Sequence, residues 1–411
     1  MSGKHYRQQR RKHNLRQKSP GKAQPQETHF TSCFGETIVE RFPKDYDPTL
    51  RAWSAADELL LEHLANDYLS KYKEPRIVLL NDTYGALAIN LAKYAPISLC
   101  DSLIGREALR HNIELNIELN EARMPAHNIS TRSILDSPPS NIDILLMQLP
   151  KNFHYLKFQL NKLKPALNPN AIVLAGVMVK HFHQNVLNHF ESIIGKTHTT
   201  LARKKARLIV ARNTQTNHLQ PQQSLAEFAN QYPLPDTAIN LYTLPNVFSM
   251  DKADIGTRAL LPYISSAATY NTILDLGCGN GALGIKAALE NPQARIYFCD
   301  DSELAIASAK LSWEHSGLTN QVDFLLSDAL SNAPKDLDLI LCNPPFHQNN
   351  SIHTEIAERM FEQASQHLNS KGQLLVVANS HLPYDKALKK YFTDVKPMAA
   401  TNKFNIYQAS L

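Results

Sequence analysis

Two stretches of this chain, about two hundred residues apart, carry the same succession of strand, turn and helix signals. That repetition constrains the fold more than any other feature. The apolar run Arg76–Leu80 matches Thr272–Leu276, and Tyr84-Gly85-Ala86-Leu87-Ala88 matches Asn280-Gly281-Ala282-Leu283-Gly284. Cys100-Asp101-Ser102 parallels Cys299-Asp300-Asp301-Ser302, and the run Asp143–Met147 parallels Leu337–Cys342. Ala171–His181 likewise resembles Leu374–His381, and Arg203–Val210 resembles Thr401–Gln408. A spacing this long belongs to a duplicated domain, since solenoid repeats are several times shorter. Short buried strands alternating with helical stretches predict an α/β fold in each copy. The 411 residues, 43% of them hydrophobic, suffice for two such cores. The boundaries read as a basic tail over 1–28, a leading copy over 29–212, a Gln-, Asn- and Pro-rich linker over 213–235, and a trailing copy over 236–411.

The copies differ in chemistry. In the trailing one, Thr272–Leu276 runs into Gly277-Cys278-Gly279-Asn280-Gly281, and a helix follows from Ala282. Glycines at such a strand end let backbone approach a ligand closely. No Gly-Lys-Ser/Thr follows, so the loop is not a Walker phosphate loop. The next strand ends at Asp300-Asp301, where an acid can take both hydroxyls of a ribose. A third strand ends at Asp328, positioned to accept from an adenine amino group. The fourth ends in Asn343-Pro344-Pro345-Phe346. There an amide oxygen and a neighbouring carbonyl offer two acceptors for a planar amino group, and the Phe offers a flat apolar face.

Glycine loop, two acids and Asn-Pro-Pro-Phe at four successive strand ends resemble the class I S-adenosylmethionine-dependent methyltransferases. The resemblance implies two tandem Rossmann-like domains, with S-adenosyl-L-methionine as cofactor. Asp275, Gly277, Gly279 and Gly281 would hold its methionine part, Asp300 its ribose and Asp328 its adenine, with Asn343 at the methyl. Phe248-Ser249, Asp254-Ile255-Gly256 and Cys342–Gln348 sharpen the likeness to the ribosomal RNA guanine-N2 methyltransferases, whose tandem domains are catalytic only in the second. Arg51–Glu58, Leu80-Asn81-Asp82, Lys204–Leu208 and Ala400–Phe404 carry the same likeness through the rest of the chain. It implies transfer of a methyl group to N2 of a guanine, with Asn343 and Pro344 fixing the amino hydrogens and Phe346 stacking on the base. Phe248 would face the base from the other side. Large-subunit RNA not yet packed with proteins is the implied substrate, without metal or membrane. Other amino or amide acceptors remain open: guanine in 16S RNA, adenine N6, or a protein glutamine, as does a non-catalytic RNA-binding relic.

In the leading copy the glycine loop has become Asn81-Asp82-Thr83-Tyr84-Gly85, and Asn-Pro-Pro-Phe has become Gln148-Leu149-Pro150-Lys151. Catalysis is expected to be lost there, leaving a bracing or RNA-holding role. Clustered Arg203, Lys204, Lys205 and Arg207 suit the latter, against the alternative of charges guarding a sheet edge. Residues 1–26 contain eight Lys and Arg and no acid, more than the whole net charge of +5, so the rest of the chain is net acidic. Such a tail is expected to be disordered and to suit phosphate backbones. Five cysteines without CxxC spacing read as reduced core thiols. No apolar stretch reaches membrane length and no apolar leader is present, which predicts a cytoplasmic protein.

Overall fold

The computed structural model describes residues 27–43, 50–119, 128–214, 224–264, 270–345 and 354–411. The basic tail and Phe346 lie outside them. A hairpin of β1 (His29–Ser32) and β2 (Gly35–Ile38) precedes the leading sheet. That sheet contains β3 (Ile77–Leu80), β4 (Ile97–Cys100), β5 (Ser130–Ser133), β6 (Ile142–Gln148), β7 (Leu167–Met178), β8 (Thr197–Thr199) and β9 (Ala206–Arg212), in spatial order 5-4-3-6-7-9-8. A second hairpin, β10 (Asn230–Pro233) with β11 (Asn240–Thr243), leads to the trailing sheet. Its strands are β12 (Thr272–Leu276), β13 (Arg295–Asp300), β14 (Val322–Leu326), β15 (Leu337–Cys342), β16 (Leu368–Asn379), β17 (Asp394–Ala400) and β18 (Phe404–Ser410). Their order is 14-13-12-15-16-18-17, the same topology repeated. In each sheet six strands run the same way and one, β9 or β18, is reversed, lying antiparallel between its two neighbours.

Helices cover both faces of each sheet. The leading copy has α1 (Ala55–Asp67), α2 (Ala86–Asn90), α3 (Leu103–Leu119), α4 (Phe153–Leu163) and α5 (Asn185–Ile193). The trailing copy has α6 (Ile255–Leu260), α7 (Ala282–Glu290), α8 (Glu303–Glu314), α9 (Thr354–His367) and α10 (Tyr384–Leu388). Central strands sandwiched this way bury side chains on both faces, hence the unbroken apolar runs of β3 and of Leu339–Cys342 in β15. Side-chain oxygens start the helices. Ser54 forms a capping box with Asp57, and Asp254 Oδ2 accepts from the Gly256 and Thr257 amides. Gly85 and Gly281 occupy equivalent positions before α2 and α7 at φ of 79° and 85°, a backbone region open to glycine at little cost.

The linker expected over 213–235 extends less far as irregular chain than its composition suggests. Residues 215–223 lie outside the described set, but Asn230–Pro233 is strand β10. Tyr232 and Leu234 are buried there, and the Tyr232 hydroxyl accepts a 2.6 Å hydrogen bond from Asn280 in the glycine loop. Two apolar side chains and that bond recruit a polar-looking segment into the trailing copy.

The halves share a core. Leu244, Val247, Leu304 and Ala305 of the trailing copy pack in one apolar cluster with Leu99, Ile134 and Tyr155 of the leading one. Around it lies a reciprocal exchange of caps. Asp301 accepts from Ser102 Oγ (2.6 Å) and the Ile104 amide (2.7 Å) at the start of α3. Asp101 accepts from Ser302 Oγ (2.7 Å) and the Leu304 amide (2.8 Å) at the start of α8. The Leu103 and Glu303 amides donate to the Asp301 and Asp101 carbonyls, both at 3.0 Å, and Arg106 pairs with Glu303 at 2.8 Å. Ser102 bridges Ser302 on what is a local two-fold axis. This equivalence pairs Asp101 with Asp301 and sets Cys100 opposite Asp300, so the leading copy has no counterpart of the expected ribose acid.

Candidate active site

A cavity of about 590 Å³ opens at the carboxyl ends of β12, β13 and β15. It gathers most of the residues expected to act: Gly277, Gly279, Asp275, Asp300, Asp328, Asn343, Pro344 and Phe248 all line it, whereas Gly281 is not in its wall and packs against Phe298 and Ala309. Parallel strands that stop side by side bring residues distant in sequence onto one rim.

Backbone amides hold the loop, Asp275 and Asp300 in place. Gly277 and Cys278 donate to the Cys299 carbonyl at 2.8 and 3.0 Å, which ties the loop to the neighbouring strand. Gly279 N–H donates to Asp300 Oδ2 at 3.0 Å, and Ser302 N–H donates to Oδ1 at the same distance. Asp275 Oδ2 accepts from Gly284 N–H at 2.8 Å, while Oδ1 is buried with no partner among the described residues. Desolvation pushes the Asp275 carboxyl up to about 8 and the Asp300 carboxyl up to about 6. Gly277 and Gly279 have φ of 71° and 54°, and a Cβ on either would meet nothing nearer than 3.6 Å. Their open side is the cavity itself.

These features fit S-adenosylmethionine. The molecule carries an ammonium, a sulfonium and a ribose diol, and the cavity meets them with Asp275, Asp300 and Asp328, an orphaned carboxylate oxygen and backbone bare of side chains.

At the other end, Asn343 Nδ2 donates to Thr257 Oγ1 at 3.0 Å. That bond leaves Oδ1 buried without a partner among the described residues, an acceptor held ready. Gly256 sits close by, where a Cβ would come within 3.4 Å of Oδ1. Pro344 is buried beside it. Phe248 is 63% exposed at the cavity mouth, so it is not a core residue of the domain entry. Phe346 lies outside the described residues.

Several features differ from expectation or were missed. Both Asp328 oxygens accept from the Arg359 guanidinium, at 2.6 and 2.7 Å, so an adenine amino group would have to use the remaining lone pairs. Arg359 and Thr257 escaped the sequence reading. Neither lies in a strand-end motif, and only the Asp254-Ile255-Gly256 stretch hinted at the second. Ile104 also lines the cavity, so the leading copy contributes to its wall. Asp301 also lines the cavity, but both its carboxylate oxygens are engaged at the start of α3.

The basic cluster is a tight hairpin tip. Lys204 and Lys205 have φ of 47° and 63° between Arg203 and Ala206, which exchange two 2.8 Å hydrogen bonds. Arg203 pairs with Glu62 at 2.6 Å, Lys204 with Glu58 at 2.5 Å, and Arg207 lies 4.9 Å above the Phe182 ring. Of the cysteines, Cys278, Cys299 and Cys342 are buried and Cys33 is exposed, all as free thiols.

The chain matches two family models: the RLMG N-terminal domain over residues 27–218 and the Methyltransferase small domain over 238–408. It is 37% identical over 391 residues to the ribosomal RNA large subunit methyltransferase G of Streptomyces coelicolor, covering 92% of this chain and 99% of that one. It is 38% identical over 381 residues to the protein of the same name in Pseudomonas savastanoi pv. phaseolicola, covering 92% and 98%. Among solved structures, a 16S rRNA N2 methyltransferase of T. thermophilus in complex with AdoMet and guanosine superposes with a TM-score of 0.72 at 18% identity, covering 93% of this chain and 97% of that one. That likeness extends through both copies of the fold.

Proposed function

The chain belongs to the ribosomal RNA large subunit methyltransferase G family, and from that premise we propose that it methylates the exocyclic N2 of one guanine in 23S, the large-subunit ribosomal RNA. It is an S-adenosylmethionine-dependent enzyme. The trailing copy is the catalytic one, and the leading copy braces it and holds RNA. The observation that carries this reading is Asn343 Oδ1, buried, unpartnered among the described residues and oriented by Thr257, in the same cavity as the glycine loop.

The bound cofactor supplies a methyl group made electrophilic by its sulfonium. The guanine N2 lone pair is delocalised into the ring, so the amino group is a weak nucleophile until it is held and aimed. Asn343 Oδ1 and the Pro344 carbonyl accept its two hydrogens. Thr257 fixes the Asn343 amide so that its oxygen, not its nitrogen, faces the target. Phe346 stacks on the base, with Phe248 at the mouth available for the opposite face. Asp300 takes the ribose hydroxyls, and Asp275 and the glycines hold the amino-acid end. As nitrogen bonds to carbon it becomes acidic, and its proton passes to water. Orientation of this kind accounts for much of the ~7–11 kcal/mol available to well-positioned reactants.

Reaching N2 inside a helix requires extruding the base, at a few kcal/mol, which favours RNA not yet packed with ribosomal proteins. No helix among the described residues is long and apolar enough to cross a membrane. With ribosomal RNA as substrate, the cytoplasm is the compartment of action.

Nucleoside mass spectrometry of 23S RNA from cells with and without the gene tests the proposal. One N2-methylguanosine should vanish on deletion and return with the intact chain, but not with Asn343→Ala. In vitro, protein-free 23S RNA should accept methyl groups better than assembled subunits. An unchanged nucleoside profile would overturn the reading.

A further inference from the structure

Five aspartates line the trailing cavity, and among the described residues a single cationic side chain joins them, Arg359. A cofactor that carries an ammonium and a sulfonium repels a bare guanidinium, so this cation calls for a cause. Its setting supplies one. In α9, Ile356, Arg359, Met360 and Gln363 recur at i, i+3, i+4 and i+7 and so share one helix face. The first three line the cavity. Gln363 Oε1 accepts from the Leu330 amide at 2.7 Å, and the Met360 methyl lies 3.6 Å from where a Cβ on Gly277 would stand. One side of the helix thus spans from the glycine loop to the turn that carries Asp328.

That turn is gripped from several sides. The Asp328 carbonyl accepts from Ser331 N–H and Oγ at 3.1 and 2.7 Å, and the Ala329 carbonyl accepts from Cys299 Sγ at 2.9 Å. Ala329 itself sits at φ 45°, a left-handed conformation that a residue with a Cβ adopts at a cost. The Asp328 side chain is held by Arg359, whose Nη1 donates to Oδ2 at 2.7 Å and whose Nη2 donates to Oδ1 at 2.6 Å. This fork-to-fork pairing occupies one lone pair on each oxygen and fixes the carboxylate plane. What remains of Asp328 is an acceptor that cannot rotate. With side chains 15% and 31% exposed, the pair is sheltered from the screening that makes surface ion pairs weak.

We propose that Arg359 is a positioning residue that makes the cofactor site selective for an amino-purine. This role rests on Asp328 as the adenine acceptor, and it supplies the reason that acceptor discriminates. Adenine presents an N6 amino donor, whereas a 6-oxo purine presents an oxygen at the same ring position. A carboxylate free to swing would turn from that oxygen and admit water between them, but one clamped in plane meets it with repulsion. The same clamp neutralises the guanidinium, so that the cavity accepts a cationic cofactor beside an arginine.

The test uses the full chain, its Arg359→Met, Arg359→Lys and Asp328→Asn variants, and two probes: S-adenosylhomocysteine and the same thioether with hypoxanthine in place of adenine. Calorimetry gives both affinities. The parent should prefer the adenine probe by about 10–100-fold, the measure of one hydrogen bond to a charged group. Arg359→Met should lose most of that preference, the adenine probe binding more weakly and the hypoxanthine probe no worse. General loosening of the fold would weaken both probes and leave their ratio alone. Arg359→Lys keeps the charge but grips one oxygen at a time, so it should lose most of the preference too, and it carries the test should Arg359→Met fail to fold. A preference of parental size in either variant would overturn the proposal, and a raised KM for RNA beside that intact preference would assign Arg359 to the RNA. A parent with no preference, or an Asp328→Asn variant that keeps it, would instead remove adenine from Asp328 and sink the reading on which this role rests.

Discussion

At the scale of single residues, the site depends on two oxygens left without partners among the described residues. Asn343 Oδ1 is one, and Thr257 determines which end of that amide faces the cavity. Asn343→Ala should lower kcat by ~10²–10³-fold, the usual loss when one hydrogen-bonding group aimed at a reaction centre is removed, while cofactor affinity persists. Thr257→Val should lower kcat less and leave the KM for RNA nearly constant; equal turnover in both variants would refute the assignment. Asp275 Oδ1 is the other. Burial raises the Asp275 and Asp300 carboxyls to about 8 and about 6, so the folded chain holds protons there that unfolded carboxyls release near pH 4. Their contribution to stability is therefore fullest below about pH 4 and is lost as pH rises through about 6 and then about 8. A ligand that prefers the ionised carboxylates reverses this trend by expelling the protons. S-Adenosylmethionine should accordingly bind more tightly at pH 8 than at pH 6, with a calorimetric enthalpy that varies with buffer because protons are released. Pro344, the glycines and Asp300 were legible from sequence because each ends a recognisable strand. Arg359 and Thr257 were not, since a helix side chain reveals its partner only when the helix is docked.

Among elements, the informative feature is the exchange of caps between α3 and α8. Each helix start is satisfied by an aspartate of the other copy, so neither N-terminus is complete within its own half. Asp301→Ala or Asp101→Ala strands a serine hydroxyl and a buried amide, at a cost of about 1–3 kcal/mol. Thermal denaturation should show both losses. Asp301→Ala should also weaken cofactor binding, because Asp301 anchors the turn that carries Asp300; cofactor affinity equal to that of the parent would separate the two. The parallel between Cys100-Asp101 and Cys299-Asp300-Asp301 left the register open by one residue. The structure resolves it, because a cap needs its carboxylate opposite a particular amide. The end of the linker-like stretch is set by a related cause. Asn230–Pro233 looks polar and turn-rich, yet a strand partner in β11 and a place for Tyr232 turn it into structure.

For the whole molecule, the shared cluster of Leu244, Val247, Leu304 and Ala305 with Leu99, Ile134 and Tyr155 makes the halves one cooperative body. The trailing copy alone, residues 236–411, would expose that apolar surface and leave the Glu303 and Leu304 amides at the start of α8 without their Asp101 partner. It should melt well below the full chain and bind cofactor more weakly, whereas a fragment matching the full chain in both would mean the halves are independent. Removing residues 1–26 should lower RNA affinity and flatten its salt dependence without altering cofactor binding, and an unchanged slope would make the tail a bystander. From the chain of letters alone came the duplication, the α/β class, the order of strand-end motifs and the decay of the leading loop. All of these are local patterns: period, glycine content, and acids or amides at strand ends. Tertiary structure alone decided that Asp301 caps α3 while Asp300 accepts from the glycine loop, that Arg359 holds Asp328, and that Thr257 holds the Asn343 amide. Those outcomes depend on which distant backbone amides and side chains come within hydrogen-bonding reach, and that distance is set only when the two sheets pack.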